Sequence, residues 1–126
     1  MIPKFRAWEH DVKFMYDQVR ITQNFLGIGE TIIEVSDGMG WERVDEKYLM
    51  QSTGLVDVNQ EEVFKDDIVW HDQNEEYGVV EFDEAKFVIR WQNGYVEDLF
   101  ERIDLLKVVG NVHAHGHLLE SGGDRE

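Results

Sequence analysis

The chain contains no cysteine, one proline and three serines. The absence of cysteine excludes disulfide bonds, thiolate metal ligands and a cysteine nucleophile. None of the serines lies in a Gly-x-Ser-x-Gly nucleophile motif. No apolar run approaches the roughly 18 residues that a membrane-spanning helix needs, and the first residues have no apolar stretch of signal-peptide length. We therefore expect a cytoplasmic protein.

Basic residues are few: 12 Lys and Arg stand against 27 Asp and Glu, a formal net charge of −15. Such a charge repels phosphate backbones and anionic lipid surfaces, so we expect neither direct nucleic-acid binding nor membrane binding. The simple interpretation is that the charge provides solubility. The alternative is a surface that imitates DNA and occupies the DNA site of a host protein. The carboxylates form no long runs, so both interpretations stay open.

The length and composition fit one folded domain. A chain of 126 residues with 42% hydrophobic residues, including 7 Phe, 4 Trp and 4 Tyr, can build a core without a metal or a disulfide. We predict a single domain over 1–118, made of N-terminal strands (1–50), a connection (51–66) and a barrel-like part (67–118). The polar, glycine-rich tail, 119–126, is predicted to be disordered.

Alternating apolar residues indicate short strands in both halves. An N-terminal hairpin is predicted from Lys4 to Tyr16, and a sharper series of strands begins at Asp67. The four residues 83–86 are predicted to close a hairpin of the four-residue class. Apolar residues recur at helical spacing in 96–104, so one or two helical turns are possible there and the assignment of this segment stays open. A strand follows at 105–112, with Gly110 at a bulge or at a close backbone approach.

Together these patterns predict a mainly β fold. The C-terminal half should form a small SH3-like barrel, the N-terminal half a β-hairpin or sheet segment, and there should be little helix.

Three segments of the chain together resemble the YopX family of phage and prophage proteins. They are Ile2–Trp8 with Phe14–Tyr16, then Met50–Asp57 continuing to Val63–Val69, and finally Val108–Val112 with Leu118 and Leu119. The matches are in order and span nearly the whole chain. One departure is Asp66, which stands where a glycine is usual and puts the local turn geometry in question.

The resemblance implies a phage-related origin and a β-rich, self-associating protein of a bacterial host. It implies no catalytic residue and no cofactor. Four residues match its motif positions, namely Gly54, Asp67, Gly110 and Asn111. Each has a structural reason to be there, since Gly and Asn relieve unusual backbone conformations and Asp stabilises turns.

One group of residues has the composition of a metal site. His113, His115 and His117 alternate, so on an extended strand their imidazoles would share one face and could bind zinc, nickel or copper. The competing interpretation is an exposed histidine-rich strand end that binds metal only adventitiously.

Four aromatic residues fall around the predicted barrel: Trp70, Tyr77, Trp91 and Tyr95. SH3-like domains use such rings to bind extended peptides, so these are candidate protein-binding residues. The alternative is that most of them lie in the core, because a short chain needs its aromatic side chains inside.

These observations favour a non-enzymatic, phage-derived protein that acts through protein contacts and forms a homo-oligomer. An acidic mimic that inhibits a host DNA-binding protein is the alternative. A metal-dependent enzyme built on the histidines is a third hypothesis.

Overall fold

The computed structural model describes residues 4–23 and 29–124. The chain divides into two compact units, which we call unit 1 (Met1–Gln51) and unit 2 (Ser52–Glu126). The fold is mainly β, with curled sheets that form half-barrels and with little helix. This confirms the fold class predicted from the sequence. Among the described helices, none is long and apolar enough to cross a membrane.

Unit 1 consists of short antiparallel strands. Its strands are β1 (Phe5–Glu9), β2 (Phe14–Tyr16), β3 (Val19–Gln23), β4 (Thr31–Ser36) and β5 (Trp41–Val44), followed by a 3-10 helix (Glu46–Tyr48). β1 and β2 form the expected N-terminal hairpin, with Ala7 opposite Tyr16. β3, β4 and β5 form a three-stranded sheet. Ala7, Ile33, Val35 and Val44 form the core of this unit.

β6 (Leu49–Val56) begins in unit 1 and continues into unit 2. Its first residues pair with β1, where Met50 lies opposite Arg6. Its later residues pair with β7 (Glu62–Phe64) after a register shift between Ser52 and Val56. Gly54 lies inside this irregular stretch at a φ of 79°, a conformation that glycine adopts without strain.

Unit 2 is built on a five-stranded antiparallel sheet. Its strands are β8 (Asp67–His71), β9 (Glu76–Asp83), β10 (Lys86–Trp91), β11 (Val96–Asp98) and β12 (Leu106–Asn111), in the order β11-β10-β9-β8-β12. A helix α1 (Leu99–Arg102) and a 3-10 helix (Ile103–Leu105) lead into β12. β12, the last strand of this sheet in the chain, pairs with β8, the first one, as in an SH3-like barrel. Val63, Val69, Val80, Ile89, Trp91, Leu99 and Leu106 form the core of the unit.

Two segments contain more regular structure than the sequence patterns indicated. Within 51–66, the predicted connection, lie most of β6 and all of β7. Polar side chains support this pairing, since the Thr53 hydroxyl donates to the Val63 carbonyl at 2.8 Å. Within 119–126, the predicted disordered tail, the described residues continue α3 (His117–Asp124). The side chain of Gln92 donates to the Leu119 carbonyl at 2.7 Å and attaches this helix to the sheet.

The predicted hairpin between β9 and β10 is present, but its turn is tighter than expected. Asp83 pairs directly with Lys86, so the loop has two residues and the four-residue prediction was wrong. Glu84 and Ala85 have φ values of 51° and 69°, as in a type I′ turn, whose twist matches that of the strands. Neither residue is a glycine or an asparagine, so the sequence carried no signal for this turn.

Candidate functional site

Trp70 and Tyr77 lie side by side on the outer face of the unit 2 sheet. They occupy paired positions on β8 and β9, and their ring centroids are 4.7 Å apart. Lys107 of β12 pairs with Trp70 on its other side, so the three side chains form a row across three strands. The Trp70 indole Nε1 donates a hydrogen bond to the Asp72 carboxylate at 2.7 Å, which fixes the orientation of the ring.

The other two predicted binding aromatics lie elsewhere. Trp91 is 3% exposed and belongs to the core, where its indole Nε1 donates to Glu97 at 2.8 Å. Tyr95 is exposed and follows the Asn93-Gly94 turn before β11. The structure therefore brings together two of the four rings that the sequence suggested.

An open cavity of about 280 Å³ lies next to Trp70. It is lined by Val58, Trp70, Asp72, Asp104, Leu105 and Lys107. Val58 and Leu105 are each 48% exposed, which is high for aliphatic side chains that line a cavity. We call this surface, together with Tyr77, the Trp70 strip. The residues that line the cavity lie far apart in the sequence, so no single sequence motif contains them.

Asp57 holds one wall of this cavity in place. Its carboxylate is buried and accepts three backbone hydrogen bonds at 2.8 Å, from the amides of Asn59, Glu61 and Val108. The amide of the next residue, Val58, donates to the carbonyl of Leu106 at 3.0 Å. The loop after β6 is thereby fixed to β12. Asp57 lies in a segment that resembles the YopX pattern, but sequence reasoning gave it no role.

The turn between β7 and β8 is tied to the C-terminal helices through Asp66. Asp66 has a φ of 75°, so the aspartate at the unusual position does adopt the left-handed conformation that a glycine would favour. His113 Nε2 lies 3.3 Å from one carboxylate oxygen of Asp66, and Lys65 Nζ lies 3.2 Å from the other. The amide of Val112 donates to the Asp66 carbonyl at 2.9 Å.

The pKa of Asp66 reflects two opposing effects. Burial raises the pKa of this carboxyl group, but the hydrogen bond from His113 and the interaction with Lys65 outweigh burial and hold the pKa below its usual value. The ionised carboxylate is therefore part of the connection between the turn and α2 (Val112–His115).

The sequence predicted that the three alternating histidines lie on an extended strand, but the structure places them in the short helices α2 and α3. Asn111 caps α2 by accepting hydrogen bonds from the amides of His113 and Ala114 at 3.0 Å, and this cap turns the chain into a helix. The rings of His115 and His117 are 6.3 Å apart, while His113 faces Asp66. Within the described residues, no group of three or more metal-binding side chains is placed to hold an ion. Metal binding by these histidines stays a prediction.

Gly110 lies at a bulge and also at a close backbone approach, the two features that the sequence suggested for it. The register of β12 against β8 shifts between Val108 and Gly110, as at a bulge. The ring of His115 lies directly on the Gly110 backbone, because a Cβ atom built there would be 2.6 Å from His115 Cγ. The His115 ring also accepts a hydrogen bond from the amide of Asn111 at 3.1 Å. His115 therefore has a packing role against β12.

Within the described residues of unit 1, β3 lies at the open edge of its sheet. Among the described strands, β3 pairs with β4 alone. Ile21 of β3 is 40% exposed although it lies opposite the buried Ile33. On the other face, the Arg20 guanidinium lies 4.2 Å from the ring centroid of Trp41 and forms an ion pair with Glu34 at 2.9 Å.

Unit 1 also has an open cavity of about 510 Å³. It is lined by Thr31, Arg43, Val44, Asp45 and Glu46. Arg43 forms an ion pair with Glu30 at 2.7 Å, and Asp45 caps the 3-10 helix by accepting from the amide of Lys47 at 3.0 Å. These polar side chains have structural roles, so the cavity offers no evident reacting group.

The model of the YopX protein family matches residues 4–120. The chain belongs to the YopX family. A crystal structure of protein EF1440 from Enterococcus faecalis is similar with a TM-score of 0.64 and 24% identity, covering 94% of this chain and 99% of the other. The crystal structure of YopX from Bacillus subtilis gives a TM-score of 0.59 and 17% identity, covering 91% and 96%. No curated protein matches the chain. The two structural likenesses establish the shared YopX fold.

Proposed function

We propose that this YopX-family chain acts without catalysis, through contacts with other proteins, and that a second copy of itself is one partner. Family membership also supports a phage or prophage origin and action in the cytoplasm of a bacterial host. The observation that carries the proposal of self-association is the open edge of β3 in unit 1.

The outer side of β3 is suited to the addition of another strand. A strand at the end of a sheet presents unpaired amide and carbonyl groups, and another strand can hydrogen-bond to them. β3 runs for five residues, from Val19 to Gln23, and the last four of them are exposed. A strand that adds here would also cover Ile21, which lies next to the buried core position Ile33.

The sequence of β3 fits antiparallel pairing with its own copy. A two-fold axis at Ile21 places Ile21 opposite its equivalent and Arg20 opposite Thr22 of the second copy. Direct pairing of aliphatic side chains stabilises a sheet, whereas like charges placed opposite each other destabilise it. This register therefore pairs the aliphatic side chains and keeps the two arginines apart. It also gives the self-complementary interface that a two-fold dimer requires.

The charge of unit 1 permits this contact. Its 51 residues carry six basic and nine acidic side chains, a net charge of −3, whereas the whole chain carries −15. β3 contains no carboxylate, and the neighbouring Glu34 is paired with Arg20. The strand that would form the contact therefore brings no carboxylate of its own to the interface.

The experiment compares two substitutions that add the same charge to unit 1. Ile21→Lys places an ammonium group on the exposed edge, a common natural way to block strand addition. Met39→Lys adds the same group at a residue that is 90% exposed in the turn before β5. The solution mass of each protein is measured by light scattering during size-exclusion chromatography, at low and at high salt.

We expect twice the chain mass for the parent and for Met39→Lys at both salt concentrations, because an apolar contact is little screened by salt. Ile21→Lys should have the mass of one chain. A parent that is monomeric in both conditions would overturn the proposal, as would a dimer that Ile21→Lys leaves intact.

The alternative function, an acidic mimic that blocks a host DNA-binding protein, is favoured by the distribution of charge. Unit 2 carries six basic and eighteen acidic side chains, a net charge of −12. A mimic should bind a basic host protein with an affinity that falls steeply as salt rises. If monomeric protein captures such a partner at low salt and releases it at high salt, the mimic replaces self-association as the leading function.

A further inference from the structure

The Trp70 strip combines exposed apolar side chains with a fixed scaffold. Val58 and Leu105 are each about half exposed. The Asp57 carboxylate ties the Val58 loop to β12 through the amide of Val108, and Asp72 fixes the Trp70 indole. A binding surface that is already ordered loses little conformational entropy when a partner binds.

The size of the cavity indicates the kind of group that it can accept. About 280 Å³ falls at or below the lower end of the range of roughly 300–1,000 Å³ that encloses small-molecule ligands. The cavity is also open, and the row of Tyr77, Trp70 and Lys107 continues beside it. Such a surface suits an aliphatic side chain of an extended segment better than an enclosed small molecule.

The charges at the strip indicate the chemistry of the neighbouring group. Two carboxylates, Asp72 and Asp104, line the cavity against one ammonium group, Lys107, within a unit of net charge −12. Trp70 and Tyr77 add ring faces that attract a cation. An arginine or lysine next to the aliphatic side chain would therefore be favoured by both the carboxylates and the rings.

We propose that the Trp70 strip docks an extended segment of a partner protein, with an aliphatic side chain in the cavity and a neighbouring arginine or lysine near Asp72 and Asp104. The residues of this surface all belong to unit 2, whereas β3 belongs to unit 1. The YopX-family chain would then have one surface for its own copy and another for a basic, partly apolar partner segment.

The probe is a panel of short synthetic peptides, each with one leucine or isoleucine at one to four residues from one arginine. Matched peptides replace the arginine by glutamine or the aliphatic residue by serine. Binding is followed by the indole N–H signals of ¹⁵N-labelled protein. The chain has four tryptophans, so Trp8, Trp41 and Trp91 serve as internal references for the Trp70 signal.

We expect a saturable shift of the Trp70 indole signal with one or more peptides of the panel and a much smaller shift with their matched controls. Asp104→Lys and Leu105→Asp should each weaken binding about tenfold or more. Glu84→Lys makes the same change of charge as Asp104→Lys but lies in the β9–β10 turn, so it should change affinity by less than about twofold.

Three results would overturn the proposal. The first is no shift of Trp70 with any peptide. The second is equal weakening by Asp104→Lys and Glu84→Lys, which would mean that the peptides are held by general charge attraction. The third is a Trp70 shift that appears on concentrating the protein alone, which would assign the strip to a second copy. The Ile21→Lys protein separates this test from self-association, because it should bind the peptides unchanged.

Discussion

Units 1 and 2 are both built from short antiparallel strands, but their polar side chains are used differently. Both units have exposed ion pairs, such as that of Glu34 with Arg20 in unit 1, so the difference lies in the buried carboxylates. In unit 1 the buried Glu9 accepts a hydrogen bond from one backbone amide. In unit 2 the aspartates Asp57 and Asp67 are buried and accept backbone hydrogen bonds. Exposed ion pairs contribute little to stability, whereas buried hydrogen-bonded charges are expensive to disturb. The comparison teaches that the acidic residues of unit 2 include structural elements of its fold.

The largest effect is expected from a comparison of two aspartates whose carboxylates both accept hydrogen bonds from backbone amides. Asp57→Ala removes three hydrogen bonds to a buried carboxylate and should lower the free energy of unfolding by about 3 kcal/mol. Asp37→Ala removes one such bond, to the amide of Met39, in an exposed turn of unit 1 and should lower it by less than about 1 kcal/mol. Urea unfolding followed by tryptophan fluorescence measures both values. Equal losses would show that burial does not distinguish the two units.

A smaller effect is expected at the contact between Gly110 and His115. Gly110→Ala would place a methyl group against the His115 ring and should destabilise unit 2 by about 2 kcal/mol, as overpacking does. His115→Gly in the same chain removes the ring and also the His115 Cβ, which would lie 2.9 Å from the new Cβ atom, and should recover most of that loss. Thermal unfolding of the two single variants and the double variant measures the coupling.

The unit 1 control for this test is Gly38→Ala. A Cβ atom built at Gly38 would have no atom within 4 Å, but the residue has a φ of 102°. Gly38→Ala should therefore lower the free energy of unfolding by about 1 kcal/mol through backbone strain. His115→Gly should not relieve that loss. If it did, or if the loss at Gly110 persisted in the double variant, the packing explanation would fail.

The smallest effect is a change in pH dependence at Asp66. A carboxylate with a pKa lowered in the folded state contributes stability that is fully present above its unfolded pKa of about 4. That contribution is lost as the pH falls through the lower, folded pKa. Asp66→Asn should therefore make the stability of unit 2 fall less steeply as the pH drops below about 4, while the left-handed backbone remains acceptable to asparagine.

The partner side chain provides the control for this titration. His113→Ala removes the hydrogen bond that lowers the pKa of Asp66, so the folded pKa should rise towards the unfolded value and the loss of stability in acid that Asp66 causes should become smaller. Stability is measured by urea unfolding across the acid range. An unchanged profile in both variants would contradict the role given to the Asp66–His113 pair.

Most of the fold could be predicted from the periodicity of the strands and from the positions of the glycines. The hairpin of β9 and β10, the Asn93-Gly94 turn and the bulge at Gly110 could be predicted because each depends on residues close in sequence. The helix at Val112–His115 could not, because it has four residues, too few for a helical period to be visible. Its cause is the Asn111 cap, and asparagine is equally common in turns.

The candidate site was only half visible in the sequence. Trp70 and Tyr77 were named because aromatic residues are prominent, but Trp91 was named for the same reason and faces the core. Val58, Asp72 and Leu105 were missed because they are brought together by the return of β12 to β8. Such a surface depends on contacts between distant parts of the chain, and one sequence gives no direct sign of them.

The pairing of β12 with β8 also limits the order in which unit 2 can fold. The β9–β10 hairpin closes across two residues, whereas β12 must find β8 across more than thirty, with Leu106 opposite His71 and Asn111 opposite Asp67. Loop-closure entropy makes such distant pairings slow. The wall that carries Val58 depends on the amide of Val108 in β12. Within unit 2 we therefore expect the Trp70 strip to be completed only when β12 has paired with β8, so a chain without that pairing should not present it to a partner.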